Sequence, residues 1–198
     1  MATDYQELTK NLCHFYDFRG KVVLFIGAAG RQLLDPATPT RKLIAIDKDV
    51  EALRALKATI VAKGLQDSVE VVAASFEEVT SPGDTVYFEF CLHEMDDSEK
   101  ALRHAKSLAP DIVVYDHSPG SEWIFYGAEE DSVARSSAIM ERFGIRRRQT
   151  FQAEQRFANH AELLAKVGPQ GPLAIERVQR FAGSRDIVIP MSYELNLL

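Results

Sequence analysis

The stretch Lys21-Val22-Val23-Leu24-Phe25-Ile26-Gly27-Ala28-Ala29-Gly30 decides the fold. It is apolar at every position from Val22 to Ile26 and then stops abruptly at small residues. A strand apolar on both faces belongs in the middle of a parallel sheet, covered by helices on each side; a half-solvated antiparallel strand would alternate. The signature returns at Lys42-Leu43-Ile44-Ala45-Ile46-Asp47, Ser68 to Ala74, Asp84 to Phe90 and Asp111-Ile112-Val113-Val114-Tyr115-Asp116. Helical patterns fall between them. From Asp49 to Gly64, a capping aspartate precedes Val50, Leu53, Leu56 and Ile60 on one face, and glycine supplies the stop. Ser98 to Leu108 has Asp96 and Asp97 at its positive end and Pro110 just beyond its stop.

This alternation predicts an α/β fold: a Rossmann-like open sheet, mostly parallel, with right-handed crossovers and helices on both faces. Residues 1–20 are expected to form an N-terminal helical lid segment, with 21–198 a single domain. After His117 the pattern changes. A helical cap insertion is expected over about 119–143, a strand from Ile145 to about Phe157 and a helix from Asn159 to Val167. A hairpin should follow, Ile175 to Phe181 and Ile187 to Tyr193, turning at Gly183-Ser184. The sheet would thus finish antiparallel.

The 198 residues are 46% hydrophobic and 26% charged, which suits one packed domain and excludes a disordered chain. A net charge of −6 removes the basic footprint that nucleic-acid binding relies on, leaving only the short run Arg146-Arg147-Arg148. The apolar stretches are too short to span a bilayer, and the polar opening Met1 to Glu7 reads as no signal peptide. Two cysteines, Cys13 and Cys91, form neither a disulfide framework nor a metal-ligand spacing. A cytoplasmic protein with a small-molecule partner, no nucleic acid and no membrane is expected. A homodimer stands as an open alternative to a monomer.

In open parallel sheets the ligand lies beyond the C-terminal strand ends, where the strand order reverses. The strand ends here are Gly27-Ala28-Ala29-Gly30, Asp47, Ala74-Ser75-Phe76, Cys91-Leu92-His93-Glu94 and Asp116-His117. Small residues let a backbone turn sharply against a ligand. A carboxylate closing the second strand, about twenty residues on, can accept both hydroxyls of a ribose. A nicotinamide reading requires a Tyr with a Lys four residues later, and none of the six tyrosines has one. The loop also lacks a third glycine, prolines at Pro36 and Pro39 interrupt the expected first helix, and no Walker Gly-Lys-Ser/Thr is present.

Over about residues 15–195 the chain resembles the class I S-adenosylmethionine-dependent methyltransferases of small-molecule type. The resemblance rests on Val22 to Gly30, Ile44-Ala45-Ile46-Asp47, Asp84 to Asp97, and Phe157 to Gly168. It implies S-adenosyl-L-methionine as cofactor and methyl transfer to an N, O, S or C nucleophile by direct displacement. Gly27, Ala28, Ala29 and Gly30 would border the methionine part. Asp47, with Lys48 beside it, would hold the ribose. Ala74, Ser75 and Phe76 would flank adenine, and Cys91, Leu92 and His93 would sit under the methionine moiety and sulfonium. Two positions depart from the family pattern: Phe25 stands where an acid usually precedes the loop, and Ser75 where one often follows the third strand.

Catalytic candidates are His93, Glu89 and His117. Glu89 is a charge within an apolar strand, which is costly unless paired or facing a cavity; His93 titrates near neutrality in the right loop. Glu94 and Asp116 are candidates for the substrate side, with Tyr16, Trp123 and Tyr126 as an aromatic lid, or else as packing of their own helices. Cys91 reads better as a small buried side chain than as a nucleophile. No metal site is expected, because His93, Asp96, Asp116 and His117 show no recognised ligand spacing. A non-catalytic ligand-binding or assembly protein on the same fold is the alternative reading, since fold alone never establishes activity.

Overall fold

The computed structural model describes residues 5–27, 32–34 and 40–198. The expected loop residues Ala28, Ala29 and Gly30 lie outside the described residues, as do Pro36 and Pro39. The chain opens with α1 (Tyr5–Phe15), β1 (Val22–Ile26), β2 (Lys42–Asp47), α2 (Val50–Ala62) and β3 (Val69–Ala73). It continues through β4 (Thr85–Glu89), α3 (Ser98–Leu108), β5 (Asp111–His117), α4 (Glu122–Gly127) and α5 (Glu130–Phe143). β6 (Arg147–Asn159), α6 (His160–Val167), α7 (Pro172–Val178) and β7 (Arg185–Leu197) complete it. Among the described residues no helix is long and apolar enough to cross a membrane.

The strands form one seven-stranded sheet in the order β3-β2-β1-β4-β5-β7-β6. The first five are parallel and β7 runs antiparallel to both its neighbours. Order reverses between β1 and β4, which pair directly, so a crevice opens beyond their C-terminal ends. Side chains alternate between two cores. Val23, Phe25, Tyr87, Val113 and Tyr115 pack on one face; Leu24, Ile26, Val86, Phe88, Ile112 and Val114 pack on the other. The continuous apolar runs thus follow from burial on both faces.

Local signals set the element ends. Asp49 caps α2, accepting from the backbone of Glu51 at 2.8 Å and Ala52 at 3.2 Å, and Gly64 past its end has φ +67°. Asp97 caps α3 and Asn159 caps α6 in the same way.

Two expectations about the tail are corrected. Residues 175–181 are not a strand: Pro172 starts α7, which buries Ala174 and Val178 four residues apart while Ile175 stays exposed. The hairpin partner of β7 is β6, paired from Arg147↔Leu197 to Asn159↔Arg185, with α6 and α7 inserted between them. Residues 121–143 are two helices, because Ala128 takes a left-handed φ of +56° and turns the chain. α4 packs on β7 and α7, and α5 packs on α3.

Candidate functional site

Gly27 follows β1 at φ +77°, and a Cβ there would stand 2.7 Å from the Cys91 sulfur and 2.8 Å from its Cβ. Only glycine fits, on both counts. Across the crevice, Phe90 leaves β4 with φ +49°, a conformation costing about 1–3 kcal/mol for a residue with a side chain. Its backbone N–H donates to the Tyr115 carbonyl at 2.7 Å, and its ring lies 4.5 Å from Tyr115 and 4.7 Å from His117. This turn throws Cys91 to Asp97 across the strand ends.

A cleft of about 240 Å³ lies there, lined among others by Gly27, Asp47, Lys48, Ala74, Ser75, Phe76 and Cys91. Seven of the residues expected to hold a cofactor therefore share one cleft. Leu92 is fully buried beneath the loop instead. The cleft also takes Glu77, Glu94, Met95, Asp96 and Asp97, so among the described residues five carboxylates face it against the one ammonium of Lys48. Sequence reasoning missed Glu77, Asp96 and Asp97 as lining residues. The acidic run at 96–97 is visible in the sequence, where it reads as a helix start and part of the loop after the fourth strand, with Asp96 weighed against a metal role, but not as cleft lining. A larger hollow beside α1, β6 and β7 contains none of the strand-end residues.

Asp47 closes β2 at the cleft, half-buried. Its Oδ1 accepts the Asp49 N–H at 2.9 Å, and among the described residues Oδ2 has no hydrogen-bond partner. The carboxylate therefore serves the turn with one oxygen and offers the other to the cleft. Phe25, where an acid was the family expectation, is fully buried with its ring 5.4 Å from Tyr87. That position fills the core, and the acids of the cleft come from elsewhere. Ser75 hydrogen-bonds Glu78 through both backbone N–H and hydroxyl, each at 3.0 Å.

The Cys91 thiol donates to the Ile26 carbonyl at 3.3 Å, and burial pushes its pKa well up, so it is no nucleophile.

Beside the cleft sits a buried polar cluster. Asp116 accepts three bonds: from the His93 backbone at 3.2 Å, from the His117 backbone at 2.8 Å and, on Oδ1, from His93 Nδ1 at 2.6 Å. Burial alone would lower the His93 pKa, but Asp116, with Glu129 and Glu94 nearby, raises it to about 9. His117 goes the other way, to about 4, mainly through burial. At neutral pH His93 is thus already protonated and His117 is a weak base; neither suits the proton-accepting role the sequence suggested. Glu129, not anticipated from sequence, brings Oε2 within 4.0 Å of His117 Nε2. It can do so because the preceding helix ends in Gly127, where a Cβ would meet the Glu129 carboxyl carbon at 2.9 Å. Burial raises the carboxyl pKa of both Glu94 and Glu129.

The remaining candidates lie elsewhere. Glu89 is buried and accepts from the Tyr87 hydroxyl at 3.0 Å, two residues away on the same face of β4. Tyr16 lies at the opposite end of the sheet, bonded to Asp111 and Thr85, the first residues of β5 and β4. Trp123 stacks on Phe157 at 5.8 Å and is 3% exposed, while Tyr126 is buried and takes a bond from Arg180 at 3.2 Å. All three aromatics are core or clamp residues, because their elements carry them against the sheet. The basic run is also consumed: Arg146 pairs with Asp111 at 2.7 Å, Arg147 reaches the Phe15 carbonyl, and Arg148 pairs with Glu141 and Glu194.

No protein-family model and no curated protein matches the sequence. Solved structures do match. A candidate methyltransferase from Bacillus halodurans superposes with a TM-score of 0.68 at 15% identity, covering 96% of each chain. A SAM-dependent methyltransferase from Aquifex aeolicus gives 0.59 at 20% identity, over 98% of this chain and 88% of that one. A candidate RNA methyltransferase from Pyrococcus horikoshii gives 0.62 at 15% identity, over 98% and 81%. The chain has the class I methyltransferase fold.

Proposed function

We propose that the protein is an S-adenosylmethionine-dependent methyltransferase acting on a small molecule. The observation that carries this reading is the acidic cleft at the sheet's reversal point, with Asp47 and Gly27 both on its wall. These residues suit the cofactor on physical grounds. Gly27 leaves a cradle that a Cβ would fill, Asp47 keeps one oxygen for a sugar diol, and five carboxylates suit a cation carrying a sulfonium and an ammonium. When bound, S-adenosylmethionine supplies a methyl carbon already activated by its positive sulfur.

The chain's own residues then bind, align and exclude water, which is where most of the rate arises; positioning alone reaches effective molarities of about 10⁵–10⁸ M. Asp47 accepts from the ribose hydroxyls, each charge-assisted bond contributing roughly 1.5–3 kcal/mol. Ala74, Ser75 and Phe76 flank the adenine, and Gly27 and Cys91 border the methionine moiety. The Asp116–His93 pair, buried beside the cleft, holds in place the loop that carries Cys91 and Glu94 onto its wall. A small-molecule acceptor agrees with the acidic cleft and the consumed arginines, which leave little to attract a phosphate backbone. Cys13 and Cys91 are not joined in a disulfide, which agrees with a reducing cytoplasm.

Calorimetric titration with S-adenosylmethionine and S-adenosylhomocysteine, in EDTA, tests the reading. Micromolar binding that Asp47→Ala weakens tenfold or more is expected; no binding of either at millimolar concentration overturns it.

A further inference from the structure

Beside the cleft, and reaching it through Glu94, lies a ligand set that methyl transfer as proposed does not use. One ligand atom from each of His93, Glu94 and Glu129 lies within 4.8 Å of the other two. Carboxylates gather at many surfaces without meaning, so the histidine decides the matter. The His93 side chain is 2% exposed, and its Nδ1 is engaged by Asp116 at 2.6 Å. That leaves Nε2 as the nitrogen available to a ligand, and among the described residues this buried atom has no hydrogen-bond partner. Glu129 Oε2 is buried and unpartnered as well. Buried polar atoms in native structures nearly always find partners, and two orphans within one such cluster ask for a third body.

From this geometry we infer that His93 Nε2, Glu94 and Glu129 form a binding site for a divalent first-row transition-metal ion. Three features fit. An imidazole with two carboxylates is a donor set suited to Mn²⁺, Fe²⁺ or Zn²⁺ rather than to Ca²⁺ or Mg²⁺, which prefer all-oxygen shells. Ligands on one such ion, each about 2.0–2.2 Å from it, stand at most about 4.4 Å apart. Rotation of the exposed Glu94 side chain closes the small remaining gap from 4.8 Å. An ion bound at Nε2 would displace the proton that His93 carries at neutral pH, and Asp116 supplies the outer partner that a metal-bound histidine requires, fixing the ring through Nδ1. It is held in turn by the backbones of His93 and His117. Three protein ligands leave coordination positions open, as in catalytic rather than structural sites. Glu94 also lines the cofactor cleft, so the ion would stand at the edge of that cleft.

Calorimetric titration of the EDTA-stripped, cofactor-free protein with MnCl₂ and, separately, ZnCl₂ tests the site. Expected is one ion per chain with a dissociation constant of micromolar order or tighter for at least one of the two metals. Glu94→Gln alters an exposed side chain and should leave the fold intact while weakening uptake at least tenfold. Asp116→Asn, which acts through His93, should weaken it about 10–100-fold. Asp67→Asn, an exposed acid away from the cluster, should leave uptake unchanged. No saturable uptake below millimolar metal overturns the inference, as does uptake that Glu94→Gln and His93→Gln both leave unaltered. Because no cofactor is present here and no metal in the cofactor titration, failure of this site and failure of the methyltransferase reading are separate results.

Discussion

The two ends of the sheet are built from the same residue types and treat them in opposite ways. At the N-terminal edge the Tyr16 hydroxyl donates to Asp111 at 2.5 Å, accepts from Lys21 at 2.5 Å and lies 2.8 Å from Thr85. Asp111 also pairs with Arg146 at 2.7 Å and Lys21 at 3.5 Å. Every charge in this group has a partner. At the C-terminal end His93 Nε2, His117 Nδ1 and Glu129 Oε2 are buried with no hydrogen bond among the described residues, and five carboxylates line one cleft. A closed network fixes the strands, whereas an open one holds capacity for something the chain does not itself contain. Substitutions at the base should therefore cost stability and leave ligand binding alone, and those at the mouth should weaken ligand binding, with the removal of a buried charge there gaining stability.

The largest effect is expected at the mouth. Gly27→Val forces a branched side chain into φ +77° and onto Cys91, and should lower S-adenosylhomocysteine affinity by a hundredfold or more in calorimetry. Next comes the base: Tyr16→Phe removes one hydroxyl from three partners and should cost roughly 1–3 kcal/mol in urea unfolding, with cofactor affinity unchanged. A loss of affinity in that variant would break the division between the two ends. Glu129→Gln should act in the opposite sense. Burial disfavours the charged form of this carboxyl, so the neutral isostere should raise the metal-free melting temperature, by the equivalent of roughly 0.5–2 kcal/mol. The smallest effect is on pH dependence at the base. Tyr16 and Arg146 hold the Asp111 carboxyl below its usual value against the opposing pull of burial. Its contribution is therefore complete above about pH 4 and fades as pH falls through the lower folded value. Asp111→Asn should flatten the loss of thermal stability between about pH 4 and pH 2, measured by circular dichroism.

What the sequence disclosed follows the same divide between local and assembled features. The central strands were legible because burial on both faces leaves an unbroken apolar run. α2 and α3 were legible because Asp49 and Asp97 cap them where the pattern begins. Asp47 and Gly27 were legible because chain order places strand ends at the crevice. Tyr16, Trp123 and Tyr126 stayed open between lid and packing because an aromatic residue reads alike in both, and only tertiary packing separates the two. Glu129 left no local signal, since it reaches the cluster only through the turn at Ala128 and the missing Cβ of Gly127. The span 175–181 read as a strand because its β-branched and aromatic residues outweighed the helix start at Pro172.

Hydrogen exchange with and without saturating S-adenosylhomocysteine maps ligand contact along the whole chain and so tests the division most directly. The account predicts slowed exchange around Gly27, Asp47–Lys48, Ala74–Glu77 and Cys91–Asp97, with amides near Tyr16, Thr85 and Asp111 unchanged. Protection centred on those base residues, or none at the four strand ends, would contradict it.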